Sequence, residues 1–116
     1  MMKTTQHDQL VHVEAESTAI DKAFADQFYA FYAKLEKENI VLNLAALANL
    51  EEDDVHWIKC MANDVRDQGK SFVICSFPNE LPVTLQEIEY TPTFNEAQDL
   101  IYMDEVERSL EDEDSL

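Results

Sequence analysis

Two short runs, IVLNL at residues 40–44 and SFVICSF at 71–77, carry apolar side chains at almost every position. A strand alternates its side chains between the two faces of a sheet, so runs like these must be covered on both sides. Each follows a segment with a different period. Phe24, Phe28, Phe31, Tyr32 and Leu35 recur at spacings of three and four before the first run. Val55, Ile58, Ala62 and Val65 do the same before the second, with Trp57 and Met61 beside them. These spacings are helical faces. Helices alternating with buried strands imply crossover connections, which build a parallel or mixed sheet and are right-handed in nearly all cases.

Further elements follow from local signals. The run QLVHVEA at 9–15 alternates Leu10, His12 and Glu14 against Val11, Val13 and Ala15, which predicts a strand near a sheet edge. The segment 2–5 is a candidate antiparallel partner. Asp21 is placed to cap the first helix, which the charged EKEN stretch is expected to end around Asn39. DQGK closes the second helix, with Gly69 as a left-handed C-cap. Pro78, Pro82 and Pro92 leave room between them for one helical turn and a short strand at 88–90. TFNE at 93–96 has capping-box spacing and opens a final helix through Ala97, Leu100, Ile101, Met103, Val106 and Leu110. EDEDSL at 111–116 has nothing to bury and is expected to fray. The expectation is α/β: one domain over 1–110, with a single mixed, mostly parallel sheet of four to five strands and helices mainly on one face. An acidic C-terminal tail at 111–116 follows it.

Of 116 residues 46% are hydrophobic, enough for one core without disulfide or metal support. Eight basic residues against 25 acidic ones give a formal net charge of −17. That sign disfavours nucleic acid and anionic membrane surfaces, both of which are bound through Lys and Arg. It permits a basic-surfaced protein partner. Cys60 and Cys75 form no metal or redox motif and are expected to be free thiols in a reducing compartment. No run of apolar residues is long enough to span a membrane, and MMKTTQHDQL lacks a signal-peptide core, so a cytoplasmic location is expected.

NLEEDDVHW at 49–57 sets Glu51, Glu52, Asp53 and Asp54 side by side at the start of the second helix. Adjacent carboxylates cannot all converge on one ion, and the loop lacks the alternating ligands of a calcium site. Nor do four exposed neighbours offer two carboxylates with separated pKa values across a substrate. Helix capping accounts for one or two of them. His7, His12 and His56 have no zinc-ligand spacing, and the single glycine, Gly69, rules out a glycine-rich phosphate loop or a nucleophile elbow. No catalytic residue, metal ligand or cofactor site can be assembled, and no enzymatic activity is expected.

Several of these segments, in this order and spacing, resemble STAS domains, the fold of bacterial anti-sigma-factor antagonists. IVLNLAALANLEEDDVHWI is similar to the family's apolar strand, short link and D-S-S-G helix opening. DQGKSFVIC resembles its glycine-ended helix and next strand, and TPTFNEAQDLIYMDEVERSL its last helix. The resemblance spans roughly 10–110. On it, Glu51 stands at the family's Asp, Glu52 and Asp53 at its two serines, Asp54 at its glycine, and Asn43 at a strand Asp. In the family the second serine is phosphorylated by a partner kinase, which abolishes partner binding. Asp53 cannot be phosphorylated and supplies one charge where phosphoserine supplies about 1.5 to 2. Either the site is held in a phosphorylated-like state, or the switch is abandoned and its surface reassigned.

The resemblance implies a non-catalytic regulatory protein-interaction module, monomeric or homodimeric. Its partner would be an anti-sigma factor, a kinase-like protein or another basic-surfaced protein. Glu51, Glu52, Asp53 and Asp54 would form the docking surface, with Asn43, His56 and Trp57 at its rim. Two other readings stand beside it: a nucleotide- or lipid-sensing domain, and an accessory subunit of a ribonuclease Z-type hydrolase. The latter comes from a looser likeness of DEVERSLEDEDSL to stand-alone STAS-like chains encoded beside such enzymes.

Overall fold

A computed structural model describes residues 2–16, 18–35, 37–77, 85 and 87–114, with side chains described through 110. Five strands, β1 (Met2–His7), β2 (Leu10–Ala15), β3 (Asn39–Asn43), β4 (Phe72–Cys75) and β5 (Glu89–Thr91), form one sheet in sequential order. β1 is antiparallel to β2, with Met2 opposite Ala15 and His7 opposite Leu10. All other pairs are parallel. The alternating strand at 10–15 therefore lies one place in from the edge, and β1 is the N-terminal partner expected for it. Among the prolines, Pro78 and Pro82 and the helical turn expected near them lie outside the described residues.

Among the described residues three helices accompany the sheet: α1 (Lys22–Tyr32), α2 (Glu52–Asp67) and α3 (Phe94–Asp114). Sequential parallel order with right-handed crossovers carries the β2–β3 and β3–β4 connections across the same face. Accordingly α1, α2, Leu85 and Ile88 share one core with Val11, Val13, Ile40, Leu42, Phe72 and Ile74. Alternate strand residues Leu10, Val41, Val73 and Cys75 point the other way, where Ala97 and Ile101 of α3 cover them. Thus helices lie mainly on one face, as expected, but the longest of them, at 21 residues, takes the opposite one. The doubly buried strands require it.

Local chemistry sets the helix ends. Asp21 accepts the Phe24 amide at 3.0 Å and caps α1. α1 stops at Tyr32, earlier than the sequence predicts, and tightens through Lys34 N–H to Phe31 O at 3.1 Å. Leu35, just past the helix end, donates its N–H to Tyr32 O at 3.0 Å and still packs on the core, and no large apolar side chain follows it before Ile40. Gly69, at φ 79°, donates to Arg66 O at 2.9 Å and ends α2 in the left-handed conformation. Thr93 Oγ1 accepts the Glu96 amide at 3.2 Å and starts α3. α3 then runs to Asp114, so residues 111–114, expected to fray, continue the helix.

A polar clasp pins α3 to the amino ends of the strands. Asn39, 1% exposed, donates to Gln9 O at 2.7 Å, and its Oδ1 accepts Ser71 N–H at 2.8 Å. Ser71 Oγ donates to Asp104 at 2.7 Å, while Arg108 reaches Ser71 Oγ and Asn39 Oδ1. Arg108 also pairs with Glu105. Glu89 of β5 stands beside this cluster. Although Glu89 is exposed as a residue, partial desolvation of its carboxyl, and then the adjacent Asp104 carboxylate, hold it up at about 7, against the partial relief of Arg66 and Arg108. The sign follows from linkage. A carboxyl with a folded pKa above its ordinary 4.5 binds its proton more tightly in the folded state. Its stabilising effect is complete below the unfolded pKa and fades as pH rises through 7. Melting temperature is therefore expected to fall between pH 5 and pH 8, and Glu89→Gln to flatten that fall. Parallel pH profiles for the two proteins would refute this.

Candidate functional site

β3 delivers the chain to the carboxyl end of the sheet, where Asn43 Oδ1 accepts the Ala45 amide at 2.9 Å and turns it. Leu44 and Leu47 are buried, Leu47 N–H donates to Leu44 O at 3.0 Å, and Leu50 packs against the core. This compact connection determines where α2 begins. Glu51 is its N-cap, with extended backbone at φ −93° and ψ 171°.

The four acids then divide. Glu51, Glu52 and Asp53 are exposed, whereas Asp54 is 4% exposed. Asp54 Oδ1 accepts the buried amide of Ile20 at 2.6 Å, and Oδ2 accepts the Glu51 amide at 2.7 Å. At N3 it reaches back to the N-cap, one half of a capping box, and also braces the residue that precedes the α1 cap. The expectation that all four acids form a docking surface is corrected here. Amides withdrawn from water need an acceptor, and Asp54 is committed to two of them. Capping-box spacing between Glu51 and Asp54 was the available signal, the same spacing that identifies Thr93 and Glu96.

The remaining three carboxylates project from the positive end of α2. Each interaction with that helix end is worth ~0.3–1 kcal/mol and is set against their mutual repulsion. His56 is exposed and stands edge-on to Trp57, with ring centroids 4.9 Å apart. Trp57 is half-buried against the α1–α2 core. Asn43 does not join them. Its Nδ2 lies 3.1 Å from His12 Nε2, and the His12 ring stacks on Phe94 of α3 at 4.0 Å. Burial, the largest influence on His12, lowers its pKa. The structure thus gathers Glu51, Glu52, Asp53, His56 and Trp57 at one corner and leaves Asn43 under α3.

Chemically, this corner is a fixed anionic surface. His56 Nε2 and Cys60 Sγ, one turn apart on α2, are separated by 3.9 Å, the outer limit of a hydrogen bond to sulfur. Cys75 is fully buried, and burial pushes its thiol up, opposite to the activation a nucleophile needs. Both cysteines are free. Among the described residues no group of three or more His, Cys, Asp or Glu could hold a metal ion, and no helix is long and apolar enough to cross a membrane.

Solved structures with the same arrangement exist. The NMR structure of the protein TM1081 superimposes with a TM-score of 0.69 at 19% identity, over 88% of this chain and 89% of that one. A crystal structure described as a "putative anti-sigma factor antagonist (tm1081)" from Thermotoga maritima gives 0.66 at 14% identity, over 87% and 94%. The fold is STAS-like. Neither protein-family models nor curated proteins match the sequence. At such low identity the shared STAS-like feature is backbone architecture: an α/β sheet of this order with helices on both faces.

Proposed function

We propose that this chain is a non-catalytic regulatory module that docks a basic-surfaced protein through Glu51, Glu52 and Asp53 at the start of α2. The observation that carries the proposal is the division of the acidic turn. Three carboxylates stay in solvent at the carboxyl end of a STAS-like sheet, while the fourth locks the helix start in place. A rigid, permanently charged corner steers Lys- or Arg-bearing partners, mainly by raising the association rate at low salt. His56 and the accessible part of Trp57 supply a small flat rim beside the charge.

In this reading Asp53 replaces a phosphorylatable side chain, so docking is constitutive and its regulation lies with the partner. An anti-sigma factor, a kinase-like protein or a hydrolase subunit would each satisfy the chemistry, provided it presents a basic surface. No observation favours a nucleotide or phospholipid at this corner, since three like charges repel phosphate.

The test keeps Asp54 intact. The partner is isolated on immobilised chain and its association rate measured against wild type and the triple variant Glu51→Gln, Glu52→Gln, Asp53→Asn. At low salt the variant is expected to associate about tenfold more slowly, with an unchanged melting temperature and a weaker salt dependence. Equal rates at low salt would remove this corner as the docking surface.

A further inference from the structure

The outer half of α3 presents a surface that the fold does not use. Tyr102, Met103, Val106 and Leu110 are 63%, 60%, 45% and 54% exposed. Met103, Val106 and Leu110 follow i, i+3, i+7, and Tyr102 lies four residues before Val106, so all four share one helical face. Ala97, Ile101, Asp104 and Arg108, which face the sheet and its polar clasp, occupy the opposite side. Geometry explains why the stripe is left over. A helix of 21 residues is about 30 Å long, whereas strands of four or five residues span only about 15 Å. Its far end has little sheet to cover.

Charge narrows what can cover this face. α3 carries nine Asp or Glu and one base, Arg108, which is already engaged by Glu105, Ser71 and Asn39. Pairing with a second copy would oppose two such helices, so self-association through the stripe is electrostatically disfavoured. A second observation points the same way. Where the stripe begins, a cleft of about 280 Å³ opens between the β1–β2 turn and α3. Leu10, Ile101 and Tyr102 give it apolar walls, and Asp8, Gln98 and Asp99 give it polar ones. The aliphatic stem of a Lys or Arg fits such walls while its head group meets the two carboxylates.

We infer that the outer face of α3 docks a basic amphipathic helix of a protein partner. Its apolar residues lie on Tyr102, Met103, Val106 and Leu110, and a Lys or Arg enters the cleft between Asp8 and Asp99. This is helix-on-helix recognition with a cationic anchor. The face is separate from the α2 corner, which lies on the other side of the sheet.

The probe is a labelled synthetic peptide of about five helical turns, with Leu at i, i+3, i+4 and i+7 and Lys elsewhere. A scrambled peptide of the same composition controls for charge alone. Fluorescence anisotropy is expected to show the amphipathic peptide binding about tenfold more tightly than the scramble. The paired surface change Met103→Ser with Val106→Ser should erase that advantage without altering the thermal melt. Asp99→Asn should reduce the salt dependence, and the triple change at Glu51, Glu52 and Asp53 should leave peptide binding untouched. That last arm separates this inference from the proposed function. Equal binding of the scramble, or no loss in the paired variant, overturns it. So does sedimentation showing a wild-type dimer that the paired variant disperses, because a second copy would then occupy the face.

Discussion

Asp54→Ala is expected to destabilise the chain by about 3 kcal/mol, far more than any other change in the acidic turn. Two charge-assisted bonds disappear at once, from the Ile20 amide at 2.6 Å and from the Glu51 amide at 2.7 Å. The Ile20 bond is buried, so its donor would be left without water or a replacement acceptor. The consequences reach both helices: α2 loses its N3 acceptor and the segment entering α1 loses its tether. Asp53→Ala, one residue away but solvent-exposed, should stay within about 0.5 kcal/mol of wild type. Asp54→Asn retains one carbonyl acceptor and is expected to fall between them. Urea denaturation with an unchanged m-value provides the measurement. If Asp54→Ala were no worse than Asp53→Ala, the inward carboxylate would not be bracing the helix.

Asn39→Ala is expected to have a comparable effect, about 3 kcal/mol, by a different route. The Asn39 side chain satisfies Gln9 O, Ser71 N–H and Arg108 together, so it joins the amino ends of β2, β3 and β4 to α3. Gln9 is at φ 70°, an uncommon left-handed conformation for a non-glycine residue, in the turn between β1 and β2. Losing the bond to its carbonyl should therefore loosen β1 before the rest of the sheet. Amide exchange is expected to accelerate most in Met2–His7, with β4 much less affected. Asn39→Asp keeps the acceptor for Ser71 but places a carboxylate against Gln9 O, so it should protect the Ser71 end and still free the hairpin. Uniform acceleration across all strands would show that Asn39 is only one more core residue.

Much of the architecture was legible because buried strands and amphipathic helices have different periods. IVLNL and SFVICSF could only be doubly covered strands, and the spacing from Phe24 to Leu35 and from Val55 to Val65 required helices between them. The short strand near 88–90 and the antiparallel N-terminal partner were legible for similar reasons. End positions were less so. α1 stops at Tyr32, before the last residue of its apolar stripe, Leu35, and α3 continues through acids that by composition alone looked unstructured.

The candidate site was legible as a charge pattern but not as a geometry. Glu51, Glu52, Asp53 and Asp54 are nearly interchangeable as letters. Which of them turns inward depends on the Ile20 amide, 34 residues away in the chain. Asn43 looked like part of the rim, yet the alternation of β3 puts it with His12 and Phe94 on the α3 side. In the same way, Met103, Val106 and Leu110 have the spacing of a buried helical face. They lie in solvent because the face of α3 toward the sheet is set by Ala97, Ile101 and the clasp at Asp104 and Arg108.

By itself the sequence determined the class of fold, the order of its elements and the sign of its surface. Those depend on periodicity and composition, which are local properties. Only the tertiary structure decided which carboxylate braces and which remain free, and which apolar stripe is core and which is surface. Those outcomes depend on groups brought together from distant parts of the chain, where a single buried amide or the end of a sheet changes what a side chain can do.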